Sequence, residues 1–76
     1  MTQSPGMNEI ARIVREYDDE LRTALAHSRS GLFRSSDGQL HVKENVPLGQ
    51  KYQDEVIGIF ADEADLEFFY KLYLDP

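Results

Sequence analysis

Apolar residues in this chain follow a helical period, switch to a strand period, and switch back, and this change of period is what most limits the fold. Ile10, Ile13, Val14, Tyr17, Leu21, Ala24 and Leu25 recur at i, i+3, i+4 and i+7, which predicts one amphipathic helix over 8–27. Asn8 is its expected N-cap, with Glu9 placed at the positive end of the helix dipole. The opposite face carries Arg12, Arg15, Asp19 and Arg22, flanked by Glu16 and Asp18. Arg12–Glu16, Arg15–Asp19 and Asp18–Arg22 are i,i+4 pairs, each worth roughly 0.2–0.5 kcal/mol. The helix is expected to end before Gly31, with His27 and Arg29 in its last turn.

Two strands follow, Gly31–Ser35 and Gln39–Glu44, on either side of Ser36-Asp37-Gly38. An Asp-Gly pair between apolar runs is a strong hairpin signal, because its glycine accepts positive φ. Leu40 and Val42 alternate with Gln39, His41 and Lys43, so one face of the second strand is buried and the other wet. Asn45–Gln50 reads as a loop around Pro47 and Gly49. A third strand is expected over Glu55–Ala61. Its apolar residues fall on both faces, Val56, Gly58 and Phe60 against Ile57 and Ile59, which predicts a central or doubly covered strand. Gly58 there is expected to mark the close approach of another backbone. Asp62 then caps a last helix with Glu63 and Asp65 in its first turn. Leu66, Phe69, Tyr70 and Tyr73 form the stripe of that helix that should meet the sheet.

The expected class is therefore α+β, in the order α-β-β-β-α, a three-stranded antiparallel meander packed by two helices. Residues 1–7 are expected to form a flexible extension and 8–76 a single domain. At 76 residues the core is near the lower limit for independent folding, and its net stability is on the order of 3–5 kcal/mol. The four Phe and four Tyr supply enough apolar bulk to fold, which argues against a disordered acidic tail.

Charge then limits function. Six acids, Asp54, Glu55, Asp62, Glu63, Asp65 and Glu67, occur from 54 to 67 with no Lys or Arg among them. From Lys51 onward the net charge is −5 of the whole-chain −6, so the first 50 residues are nearly neutral. An acidic half repels nucleic acid and anionic membrane and attracts basic surfaces. The longest apolar run, 56–61, is far below the ~20 residues of a membrane span, and no signal-peptide pattern opens the chain. The lack of cysteine removes disulfides, thiolate zinc sites and thiol nucleophiles, and fits a cytoplasmic setting.

Motifs of catalysis are missing from the sequence. There is no G-x-S-x-G elbow, HExxH, EF-hand loop, P-loop or G-x-G-x-x-G. His27 near a helix end and His41 on a wet strand face read as ordinary surface residues. Carboxylates at a helix start are held ionised, the wrong direction for a general acid. The basic, hydroxyl-rich stretch His27-Ser28-Arg29-Ser30-Gly31 reads as a helix–strand connection. No catalytic, metal or cofactor residue is assigned.

What remains is a non-catalytic protein-interaction module, an inhibitor, adaptor or regulatory protein, that binds a basic protein surface through Asp54, Glu55, Asp62, Glu63, Asp65 and Glu67. Phe68 and Leu72, four apart and off the core-facing stripe of the last helix, are its expected apolar anchor. A homodimer through that helix is the competing use of the same pair. A narrower version of the module is a nucleic-acid mimic that occupies the basic groove of a DNA- or RNA-handling protein, and a small enzyme or ligand-binding domain is the reading from another class.

Overall fold

The structure, a computed structural model, describes residues 6–47, 49 and 51–74. The elements are α1 Met7–Glu16, α2 Asp18–Leu25, β1 Ser30–Arg34, β2 Leu40–Lys43, β3 Glu55–Phe60 and α3 Glu63–Tyr73. The class is α+β with a three-stranded antiparallel sheet, as expected. Of the expected N-terminal extension, residues 1–5 lie outside the described residues. Gly6 rather than Asn8 occupies the N-cap position, and Met7 is already helical.

The long first helix is in fact two. Tyr17 leaves helical geometry (φ −107°, ψ 18°), and its N–H bonds to the Val14 carbonyl three residues back, tightening the last turn of α1. The cause lies just after the break. Asp18, Asp19 and Glu20 are poorly placed in mid-helix, but a new start puts all three in the first turn of α2, where the dipole favours them. The break takes Arg15 and Asp19 out of register, and among the described residues only Asp18–Arg22 of the three expected pairs closes, at 2.8 Å. α2 also stops at Leu25, so His27 and Arg29 lie in the connection to β1 and not in a helical turn. That connection is tied down by Val46 N–H to the Arg29 carbonyl and Asn45 N–H to Ser28 Oγ, both at 2.9 Å.

The β1–β2 hairpin forms as expected. Gly38 takes φ +90°, and the Asp37 carboxylate accepts from the Ser35 hydroxyl and the Gln39 N–H. Those two donors, in that order, hold the Asp37 pKa below the usual carboxylate range. Register pairs Leu32 with Val42 and Phe33 with His41.

Strand order is β2-β1-β3, so the sheet is not a meander. After β2 the chain crosses β1 and adds β3 on its far side, antiparallel to β1. β1, not β3, is the central strand. Its residues Ser30–Phe33 are all buried, whereas β3 begins exposed at Glu55 and Val56 and becomes buried only at Phe60. A bulge lets β3 show apolar residues on both faces without being central: Leu32 faces Gly58 and Phe33 faces Val56, leaving Ile57 as the extra residue. Gly58 does not mark an approaching backbone. A Cβ there would lie 3.0 Å from Cζ of Phe60, whose ring leans over it, and it is at Gly31 that a backbone comes close, 2.7 Å from a built Cβ to the Gly58 carbonyl oxygen.

Both faces of β1 are covered, by different means. The helices bury Leu32 in a core of Val14, Leu21, Leu25, Phe60 and Leu66. On the other face the crossing segment covers Phe33. Tyr52 packs at 5.1 Å between ring centroids, His41 stacks at 6.3 Å, and the Lys43 ammonium lies 5.2 Å from the ring centre. Among the described residues no helix is long and apolar enough to cross a membrane.

Candidate functional site

The six acids are not one strip. β3 separates them into two groups, Asp54 and Glu55 at its start and Asp62, Glu63, Asp65 and Glu67 after it. At roughly 3.3 Å per residue the strand alone spans about 17 Å.

In the first group Asp54 turns inward and Glu55 stays exposed. Asp54 Oδ2 meets His41 Nε2 at 3.0 Å and Lys43 Nζ at 3.2 Å, closing a clasp over Phe33. His41 thus lies against an aromatic ring and a carboxylate, not on an open wet face. Glu55 reaches Arg34, its register partner on β1, at 3.7 Å.

The second group is divided between structure and surface. Asp62 caps α3 as expected, its Oδ1 accepting the Asp65 N–H at 2.8 Å. Asp65 reciprocates by accepting the Ala61 N–H at 3.0 Å, the geometry of a capping box shifted by one residue. Glu63 accepts from Arg22 at 3.3 Å in an exposed pair. Arg22 is shared with Asp18, whose hydrogen bond is the main cause of its raised pKa. Glu67 forms no ion pair among the described residues. Glu55 apart, the exposed acids therefore collect around the first two turns of α3.

α3 separates its apolar residues as expected. Leu66 is fully buried, and Phe69 packs edge-on against Phe60 at 5.3 Å and Tyr73 at 5.2 Å. Tyr70 lies over α2 and donates to Asp18 at 2.7 Å. Phe68 and Leu72 are 59% and 51% exposed. Helix α1 does not cover them.

They are not alone. Met7, 40% exposed, comes from the start of α1, and Ile59 and Phe60 come from β3, to complete an open groove of about 350 Å³ with Phe68 and Leu72. Asp65 also lines that groove. Val56, at the start of β3, is 44% exposed. The sequence reading had missed Met7, Val56 and Ile59. Their signal was visible only as apolar residues on both faces of a strand, which a central position explains equally well. The deciding fact is strand order.

A larger open groove, about 430 Å³, lies elsewhere, between Asn8, Arg12, Arg15, Glu16, Tyr73 and Leu74. Arg15 there stands 5.9 Å from the Tyr70 ring centre. Its lining is mixed in charge, with no group buried enough to be tuned for chemistry. Among the described residues no three His, Asp or Glu side chains gather as a metal site. The chain has no significant match to a family model, a curated protein or a solved structure, so the site stands on its geometry alone.

Proposed function

We propose that this chain is a non-catalytic interaction module that binds a basic protein partner on the side formed by α3 and β3. The observation that carries the reading is the pairing of Phe68 and Leu72, exposed side by side, with Asp65, Glu67 and Lys71 around them. An exposed aromatic–aliphatic pair inside a charged rim has the anatomy of an interface anchor: the centre supplies desolvation and the rim supplies steering and partner choice. The inward turn of Asp54 removes it from the binding surface and leaves Glu55 with the carboxylates of α3.

The test uses immobilised chain as bait and two double variants, Phe68→Ser with Leu72→Ser and Glu63→Lys with Glu67→Lys. A bound protein is identified, purified and titrated against each form over a range of salt. The apolar variant should lose the complex through faster dissociation. The charge variant should slow association, and wild-type affinity should fall as salt rises. Affinity that is flat in salt and untouched by both variants, all of them folded, would dispose of the reading, as would substrate turnover by the pure protein.

A further inference from the structure

We infer that the partner adds a strand: β3 accepts an extended segment, apolar at its centre and basic at its ends, along its unpaired edge. This rests on the interaction-module reading and names how the partner is held.

β3 pairs with β1 on one side only. Every second residue of an edge strand turns its N–H and C=O outward. Among the described residues no backbone group of 55–60 bonds outside the sheet. The edge carries no cation and no proline over Glu55–Phe60, the two usual means of blocking such an edge. The groove of Met7, Phe68 and Leu72 runs beside it and touches Ile59 and Phe60. A docked strand would thus find ladder partners from β3 and a pocket for alternate side chains in one place, the combination that strand addition uses for affinity and specificity.

Charge selects the occupant. In a two-fold pairing of β3 with β3 of a second copy, antiparallel strands would bring Asp54 and Glu55 of one chain beside Asp62 and Glu63 of the other at both ends. Like charges directly across strands are destabilising, and the whole chain already carries −6. A segment with Lys or Arg at its ends meets the exposed Glu55 at one end of β3 and Asp62 and Glu63 at the other.

Three capped eight-residue peptides test this against the isotopically labelled full chain by NMR. The first alternates Val and Thr between terminal lysines, the second is its copy N-methylated at the central amides, and the third carries Glu in place of Lys. The first should shift the amides of 56–60, Phe68 and Leu72 and slow hydrogen exchange along Val56–Phe60. Methylation should weaken binding roughly ten-fold or more, since it removes several ladder bonds and blocks close approach, and the Glu copy should not bind. Equal binding of the methylated peptide overturns strand addition and leaves the basic-partner reading standing. Equal binding of the Glu copy overturns the charge argument and that reading with it. Failure of all three peptides, with the outward-facing amides of Val56–Phe60 exchanging freely, overturns strand addition. A doubled mass with those amides protected in the absence of peptide assigns the edge to a second copy and overturns it as well.

Discussion

The sheet has two edges, and they are built on opposite plans. β2 is four residues long, sends Leu40 and Val42 to the core, and carries His41 and Lys43 on its other face, both tied to Asp54. β3 is six residues long, is apolar at Val56, Ile57, Ile59 and Phe60, and has no cation. Short length and a lysine are the ordinary protection of an edge against pairing. One edge has it and the other lacks it. Two edges of one sheet share the same chain, the same solvent and the same central strand, so the difference belongs to β3 itself. Phe60 and Ile57 there serve the core, whereas Val56 is left exposed.

The largest effect should come from two residues that face each other across the β1–β3 ladder. Phe33 is fully buried and Val56, its register partner, is 44% exposed. Phe33→Ala should cost roughly 3–5 kcal/mol, enough to unfold most of a population of this size class. Val56→Ala should cost less than about 1 kcal/mol. Urea midpoints of the two variants measure the contrast. Comparable losses would mean that β3 is held as firmly as β1 and that its edge is part of the core.

Asp62→Ala comes next. The side chain caps α3 directly and is half of the reciprocal pair with Asp65. Its loss should cost about 0.5–2 kcal/mol and should loosen α3, the helix that carries Phe68 and Leu72. Partner binding should then fall in step with helicity measured by circular dichroism. Binding that survives a frayed α3 would move the site off the helix and onto the strand.

How far the fold could be read in advance follows from which contacts are local. The hairpin was legible because Asp37 and Gly38 act within four residues of each other. The α3 cap was legible for the same reason, and the separation of Phe68 and Leu72 from Leu66 and Phe69 follows from helical spacing alone. Strand order was not legible, since β2-β1-β3 depends on which way residues 44–54 cross, and no local signal sets that. The clasp of Asp54 with His41 and Lys43 depends on that crossing, so it was invisible too. The helix break at Tyr17 did leave a trace in Asp18-Asp19-Glu20, which reads equally well as part of a solvated face. Sequence pattern set the apolar pair off from the core stripe, but whether the six acids are continuous in space was not legible, because it depends on the topology that divides them.

Tyr70 gives a smaller effect with a pH signature, and it reports on the covered side of α3. Burial raises its pKa, and the hydrogen bond it donates to Asp18 adds to the rise. The folded state therefore holds this proton more tightly than the unfolded chain does. Its contribution is complete below the ordinary tyrosine value of about 10 and is lost as pH climbs above it. Tyr70→Phe should cost about 1 kcal/mol near neutrality, since the pair is only partly buried. It should also flatten the alkaline fall in stability relative to the parent. An unchanged alkaline limb would show that another group titrates there.

The smallest effect on stability, and the sharpest on the comparison, is an exchange of plans between the edges. Val56→Lys gives β3 the cation that β2 has, at a position already 44% exposed and next to Glu55. Surface substitutions of this kind change stability by about 0.5 kcal/mol or less. The reverse change, Lys43→Val, removes the ammonium from Asp54 and from the face of Phe33, contacts worth about 1 kcal/mol or less at the surface. Thermal melts should therefore hardly separate the two variants from the parent. Strand pairing should separate them at once. Val56→Lys should abolish binding of the lysine-flanked Val–Thr peptide by placing a like charge in its path, and Lys43→Val should leave that binding intact while exposing a second apolar edge, seen as slow concentration-dependent association. If Val56→Lys binds the peptide as the parent does, the outer edge of β3 is not where the partner lies, and Phe68 and Leu72 act from the helix alone.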